Sequence, residues 1–150
     1  MNRIRLVFSL ASALILVGAC NPMRGPVVEE VDDGEVQGTL GLNRGKFNQG
    51  EVVRITFSIK NISDAPLLLR RNDAAVEDLV LTAFQVERRW STETGEGLQE
   101  LALAPGESSS IEWILEDLET GFYTISGSWW SDDVRVIERY ISFEYGPARY

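Results

Sequence analysis

The clearest structural signal in this chain is the segment Glu51-Val-Val-Arg-Ile-Thr-Phe-Ser-Ile-Lys60. Every second residue here is large and apolar, namely Val53, Ile55, Phe57 and Ile59, and the residues between them are polar. Successive side chains of a β-strand point to opposite faces, so this alternation places the apolar side chains on one face. The segment is therefore predicted to be an antiparallel strand with one face in a core and the other in solvent.

After this strand, turn-forming residues alternate with short extended runs. The further predicted strands are residues 67–71, 79–84, 86–90, 109–115, 122–129 and 134–143. Asn61–Pro66 is a turn, and 67–71 is expected to pair with the strand before it. No amphipathic helix is expected after the first residues of the chain; 76–84 could be read as a helical turn, but its β-branched and aromatic neighbours favour a strand. About seven or eight strands with regularly spaced turns predict an all-β, antiparallel, immunoglobulin-like β-sandwich.

The amino-terminal residues have the pattern of a secretory signal peptide. Arg3 and Arg5 form a basic region, Leu6–Val17 is almost entirely apolar, and the small pair Gly18-Ala19 precedes Cys20. About a dozen apolar residues are too few for a transmembrane span, which needs about 20. We therefore expect export, with a signal peptide over residues 1–19.

The end of this signal, Leu16-Val17-Gly18-Ala19-Cys20, resembles the bacterial lipobox. The resemblance implies cleavage between Ala19 and Cys20, lipidation of Cys20 and usually fatty acylation of the new amine. The lipid bilayer is then one partner of the chain, and the acylated protein is extracytoplasmic, anchored to the cell membrane or to an outer membrane. More than one acyl chain satisfies the requirement for stable anchoring. The alternative is an ordinary signal or anchor that happens to end in a cysteine.

Residues 20–35 differ in composition from the rest of the chain. Pro22, Gly25 and Pro26 precede the acidic run 29–33, which contains Val31 as its only apolar residue. This composition predicts a flexible lipidated tether, about 20 Å from end to end, that holds a domain over residues 36–150 clear of the headgroups. The alternative for the acidic run is a calcium loop, but the carboxylates lack the spacing and terminal Glu of an EF-hand.

Composition excludes several classes of function. Removing residues 1–19 from the 150-residue chain leaves 12 basic and 23 acidic side chains, a net charge of -11, which argues against a nucleic-acid partner. One cysteine and no histidine leave no internal disulfide, no basis for a zinc site and no histidine-dependent catalysis. We expect a single domain with no metal site and no cofactor.

Several segments together carry a family resemblance. They are residues 50–67, 86–91, 101–107, Trp113 and 121–124. In order and spacing they resemble the intracellular proteinase inhibitor domain of the BsuPI type, over nearly the whole of the predicted domain. The resemblance implies this β-sandwich and, from the family name, inhibition of a serine protease. The chain departs from the family pattern at Thr82-Ala83-Phe84-Gln85, where a glycine turn is expected, and in being exported.

The four tryptophans divide into two groups. Trp90 and Trp113 lie in alternating segments and are expected to fill the core rather than to act as ligand platforms. Trp129 and Trp130 are adjacent strand residues, so at least one of them should face outward. The pair is a candidate interaction patch; the alternative is a sandwich end that is capped by one ring.

The expected function is a membrane-anchored, non-enzymatic protein-interaction module whose partner is an envelope or extracellular protein. The alternative is a serine protease inhibitor, for which Thr92–Leu98 is the most open connection and follows Arg88-Arg89. In that case the partner is a protease. A third hypothesis, a hydrolase with paired carboxylates, rests only on the abundance of acidic residues. We therefore do not expect an enzyme.

Overall fold

The computed structural model describes residues 25–132 and 135–147. The predicted signal peptide 1–19, Cys20 and the first part of the predicted tether lie outside the described residues. The described residues form eleven strands and one short helix. These are β1 (Val27–Asp32), β2 (Val36–Leu42), β3 (Lys46–Asn48), β4 (Val53–Asn61), β5 (Leu67–Arg70), β6 (Glu77–Ala83), β7 (Val86–Arg89), α1 (Trp90–Thr94), β8 (Glu100–Leu103), β9 (Ser108–Leu115), β10 (Gly121–Ser131) and β11 (Arg135–Gly146).

Nine of these strands form the two sheets of a sandwich. One sheet has the order β1-β2-β4-β9, the other has the order β3-β11-β10-β6-β7, and β5 pairs with β8 in a separate ribbon. Every described pair is antiparallel except β3 with β11. The predicted antiparallel sandwich is confirmed. It has more strands than predicted because β1, β2, β3 and β8 are short or rich in glycine or acidic residues and were not recognised.

Strand β4 provides the centre of the core, as its alternation predicts. Val53, Ile55, Phe57 and Ile59 are all fully buried. Gly127 of the opposite sheet faces the Phe57 ring so closely that a Cβ atom there would come within 2.4 Å of it. Burial of each such side chain contributes about 1.5–3 kcal/mol, so β4 is a major source of the stability of the sandwich.

The predicted pairing of 67–71 with 51–60 is wrong. Both edges of β4 are occupied, by β2 and β9, and β5 pairs with β8 instead. Asn61 redirects the chain at this point, because its Nδ2 donates hydrogen bonds to the carbonyls of Ala65 (2.8 Å) and Leu103 (3.0 Å). The turn is thereby directed toward β8.

The flexible tether predicted over 20–35 is wrong for the residues of β1. Strand β1 pairs antiparallel with β2, from Val27 opposite Leu42 to Asp32 opposite Gln37. Val27 and Val31, four residues apart, lie on the same face of the strand and pack against the core, while the acidic side chains between them are exposed. The ordered domain therefore begins at Val27, nine residues earlier than predicted.

Helix α1 is a further departure from the predicted elements. The strand predicted over 86–90 ends at Arg89, and Trp90 begins a five-residue helix that Gly95 terminates in the left-handed conformation. Trp90 is buried, and its indole Nε1 donates a hydrogen bond of 3.0 Å to the Glu112 carbonyl of β9. The helix thereby closes the side of the sandwich between β7 and β9.

The turn between β6 and β7 is built without glycine. Ala83 pairs with Val86, and the two residues between them, Phe84 and Gln85, have φ of 51° and 66°. Positive φ at both central residues is characteristic of a type I′ hairpin turn. A tight hairpin therefore forms where the expected glycine is missing, with two side-chain-bearing residues in the left-handed region.

The registers define two ends of the sandwich. The proximal end, where β1 begins, contains Val27 opposite Leu42, Val53 opposite Leu115 and the β6–β7 turn. The distal end contains the end of β1, the 62–66 turn after Asn61 and the end of β10.

Candidate functional site

The proposed lipidation site cannot be placed in the fold, because Ala19 and Cys20 lie outside the described residues. Within 25–132 and 135–147, no helix is long and apolar enough to cross a bilayer. The same residues include no group of three or more cysteine or acidic side chains arranged to hold a metal ion. The candidate sites described below are therefore surfaces and cavities of the sandwich itself.

The two adjacent tryptophans of β10 lie in opposite environments. Trp129 is fully buried in the core, whereas Trp130 is 40% exposed on the outer face of the five-stranded sheet. The prediction that one of the pair faces outward is confirmed. Trp129 must be removed from the candidate patch, because its ring is inaccessible to a partner. Trp90 and Trp113 are each only 4% exposed, which confirms them as core residues.

Trp130 stands at a groove of about 290 Å³ on the outer face of this sheet. The groove exists because Ser126 and Ser128 on β10 are short, while longer side chains rise from the neighbouring strands. Trp130 and Tyr140 are its aromatic lining, and Tyr140 is 57% exposed. We call this site the Trp130 groove. It extends from the middle of the sheet to the distal end.

The Trp130 ring is held in place by a cation. The Arg71 guanidinium lies 4.9 Å from the ring centroid, at the distance of a cation–π contact. Arg71 is itself bonded to Asp73 (3.2 Å) and to the carbonyl of Ala75 (3.4 Å). An exposed aromatic ring with restricted motion loses little conformational entropy when a partner binds.

Two polar side chains of the groove, Asp78 and Tyr140, are hydrogen-bonded within the domain. The Asp78 carboxylate accepts bonds from the backbone N–H and the hydroxyl of Ser91, at 3.0 and 2.7 Å. Its role is to attach α1 to β6. A hydrogen bond to Glu138 raises the pKa of Tyr140, so the phenol stays protonated and remains a donor. The groove thus offers binding groups rather than an activated nucleophile.

A second cavity, of about 360 Å³, lies between β6, α1 and β9. Its lining includes the buried Glu77, which is 6% exposed and pairs across the sheet with Trp129. Glu77 Oε2 accepts a hydrogen bond of 2.6 Å from Ser109, while Glu77 Oε1 and Trp129 Nε1 have no hydrogen-bond partner. Burial raises the pKa of Glu77 to about 7, against the lowering effect of the Ser109 bond.

Sequence reasoning missed Glu77. The available signal was an acidic pair, Glu77-Asp78, inside the apolar run 76–81. Alternation predicts opposite faces for the pair, but which residue faces the core depends on the pairing of β6 with β10. That pairing joins residues that are distant in the chain.

The loop suggested for protease inhibition is not an extended segment. Thr92–Thr94 belong to α1, and the carbonyl of Leu98 accepts a hydrogen bond of 2.7 Å from Val76 N–H. Gly97 lies so close to Ala75 that a Cβ atom would approach it to 2.7 Å. Arg88, just before the loop, is bound to Glu93 at 2.6 and 2.8 Å.

No family model matches this chain, and no curated protein matches its sequence. Among solved structures, a β-glucosidase from Listeria innocua in complex with glucose is 18% identical, with a TM-score of 0.44; 83% of this chain aligns, spanning 16% of the glucosidase. The CARDB domain of the PF1109 protein from Pyrococcus furiosus is 9% identical, covering 83% of this chain and 97% of that domain, with a TM-score of 0.44.

Spo0M, a sporulation control protein from Bacillus subtilis, is 12% identical, with 77% of this chain and 51% of that protein aligned and a TM-score of 0.50. All three identities are low, so the likeness concerns the fold alone. The two sheets of this chain form an immunoglobulin-like β-sandwich, as the sequence predicts.

Proposed function

We propose that this chain is a bacterial lipoprotein, anchored outside the cytoplasm through acylated Cys20, whose BsuPI-like domain acts as a non-enzymatic protein-interaction module. The Trp130 groove is the proposed contact surface. The observation that carries this proposal is an exposed aromatic ring, Trp130, held by Arg71 at the rim of a polar groove. Aromatic and arginine side chains dominate the binding energy of protein interfaces.

The anchor is tested by Cys20→Ser. The variant should accumulate as an unlipidated, uncleaved precursor, whereas the unaltered chain should partition into detergent and carry labelled fatty acid. Soluble, unlabelled protein from the unaltered sequence would contradict the lipoprotein proposal.

The contact surface is tested with a photoreactive residue in place of Tyr140, in the lipidated chain in its native membrane. A discrete cross-linked adduct is expected, and Trp130→Ala should remove most of it. Ile114, 47% exposed on the outer face of the other sheet, provides the matched control, because Ile114→Ala should leave the adduct unchanged. Equal loss in both variants would rule out the groove as the contact surface.

The second candidate function is a serine protease inhibitor, favoured by the 58% exposure of Leu98 at the end of the Thr92–Leu98 connection. The helical start of this connection opposes it, because a substrate-like inhibitor presents an extended loop. We expect no tight inhibition when active subtilisin-like or trypsin-like protease is titrated with the domain. A linear fall to zero activity near one equivalent, abolished by replacing 92–98 but not by Trp130→Ala, would establish the inhibitor instead.

A further inference from the structure

Strand β1 changes the distance between the lipidation site and the domain. Val27, its first residue, is seven positions after Cys20, whereas the predicted tether extended to residue 35. Seven residues span at most about 25 Å when fully extended and about 15 Å as a flexible chain. Val27 lies at the proximal end, opposite Leu42. A lipid on Cys20 would therefore hold this end, and not the distal end, beside the headgroups.

The same end presents the most exposed apolar side chains of the domain. Of the large hydrophobic residues that the structure describes, the three most exposed are Phe122 (78%), Phe84 (66%) and Val86 (61%). Phe122 follows the first residue of β10, and Phe84 and Val86 belong to the β6–β7 turn and its flank. Large apolar side chains grouped on a surface mark a site of contact with a membrane or another protein.

Phe84 is held in this exposed position by a strained backbone conformation. Phe84 has φ of 51°, in the left-handed region that a residue with a Cβ atom rarely adopts. Its ring lies over Gly121, where a Cβ atom would come within 2.4 Å, and edge-on to Tyr123, with centroids 6.4 Å apart. Beside it is a hollow of about 400 Å³ lined by Val86 and Leu118. Backbone strain that persists around an exposed group is a feature of functional sites.

The charges at the proximal end restrict the kind of partner. The basic residues described at this end are each bonded to a carboxylate: Arg44 to Glu51 (2.7 Å), Lys46 to Glu144 (2.5 Å), Arg54 to Glu112 (3.0 Å) and Arg88 to Glu93 (2.6 Å). The loop 116–120 adds three acidic residues. Anionic lipid would repel this end, so apolar contact with a zwitterionic surface must provide the attraction.

We infer that the proximal end rests on the bilayer, with Phe84, Val86 and Phe122 inserted among zwitterionic headgroups. The inference rests on the proposed lipidation of Cys20 and adds an orientation, which lipidation alone leaves undetermined. In this orientation the distal part of the Trp130 groove points away from the membrane. Added salt should not release the contact, because it screens only the repulsion between like charges.

The experiment uses the full lipidated chain in phosphatidylcholine vesicles with a nitroxide label at one of two exposed turn positions. Gln85→Cys places the label between Phe84 and Val86, and Asp64→Cys places it in the distal 62–66 turn. Collisions with oxygen, which concentrates in lipid, are compared with collisions with a water-soluble nickel chelate. The oxygen-to-nickel ratio should be several-fold higher at 85 than at 64.

A further variant tests the side chains directly. Phe84→Ser combined with Val86→Ser should lower the ratio at 85 toward the value at 64, while the matched distal pair Ile62→Ser and Leu68→Ser should not. Both pairs replace exposed side chains, so folding should be retained, and circular dichroism checks this.

Flotation of the vesicles separates the two proposals. A chain that floats but gives equal ratios at 85 and 64 overturns the orientation and leaves the lipoprotein intact. A chain that does not float overturns both. The oxygen-to-nickel ratio at 85 could also be low in vesicles and change only when an envelope protein fraction is added. That result would assign this end to a protein partner and overturn the bilayer contact.

Discussion

The two ends of the sandwich differ from the usual distribution of side chains in opposite ways: one buries polar groups, and the other exposes large apolar groups. The distal end buries polar groups: Asn61 is fully buried, and Glu77 and Asp78 are more than nine-tenths buried. The proximal end instead exposes large apolar groups, such as Phe84 and Phe122. Hydrogen bonds satisfy the side chains of Asn61 and Asp78, whereas Glu77 keeps one unpaired oxygen. Exposed apolar groups do little for the stability of the isolated domain. The comparison indicates that the buried polar groups of the distal end contribute to the specificity of the fold, whereas the exposed apolar groups of the proximal end are available for contact.

The largest expected effect is on the free energy of unfolding, and it should differ between a buried and an exposed aromatic residue of the proximal half. Trp113→Ala should lower the free energy of unfolding by about 3–5 kcal/mol, because it removes a buried ring and leaves a cavity. Phe122→Ala, the matched exposed change, should cost less than about 0.5 kcal/mol. Urea unfolding of both variants measures the difference. Similar losses in the two variants would show that the exposed apolar surface also stabilises the domain.

The next effect concerns the buried polar network of the distal end. Asn61→Ala should cost about 3–4 kcal/mol, because the side chain donates to two carbonyls and accepts two bonds from Ser63, at 2.9 and 2.7 Å. Ser63→Ala, which removes one hydroxyl and leaves Asn61 in place, should cost about 1 kcal/mol. The two values come from denaturant curves at one pH. If Asn61→Ala costs no more than Ser63→Ala, the network is not what stabilises this end.

Glu77 makes the stability of the distal end depend on pH. Its folded pKa of about 7 lies above the ordinary 4.5, so between these pH values the folded state retains a proton that the unfolded state has lost. The free energy of unfolding should therefore fall as pH rises through this window, by at most about 3 kcal/mol, and level off above pH 7.

Glu77→Gln should flatten that dependence and should make the chain more stable than the unaltered protein at pH 8. Glu116→Gln, at an exposed position just after β9, provides the control and should leave the profile unchanged. Unfolding in urea at a series of pH values compares the three proteins. Parallel profiles for Glu77→Gln and the unaltered chain would show that Glu77 is charged in the folded state.

The smallest effect tests the strained turn of the proximal end. Gln85→Gly should raise the free energy of unfolding by about 0.5–1 kcal/mol, because relief of the left-handed strain exceeds the added entropy of the unfolded chain. Gln85→Val should lower it, since a β-branched residue tolerates positive φ poorly. A shift in the urea midpoint measures both. A stabilising Gln85→Val would show that the turn carries no such strain.

The sequence predicted those parts of the fold in which a local pattern decides the outcome. The alternation of β4 identified its buried face, and the adjacency of Trp129 and Trp130 required opposite environments. Strand β1 was missed because its two packing valines lie four residues apart within an acidic run, where composition suggests solvation. The contact between Trp130 and Arg71 could not be predicted either, because it depends on how β10 lies beside the residues that follow β5.

Strand β1 also affects whether neighbouring copies of the protein associate through their sheet edges. It is an outer strand of its sheet, and such edges present backbone groups that can pair with a neighbouring molecule. Lipid-anchored copies would share one orientation in a single plane, which brings equivalent edges to the same height and favours edge-to-edge association. Glu29, Glu30 and Asp32 are exposed along β1. Arg139 Nε donates a hydrogen bond of 3.0 Å to the Glu30 carbonyl, so this edge group is already paired. Like charges on facing edges would repel, so the acidic strand that was expected to be a spacer opposes edge-to-edge pairing of neighbouring domains.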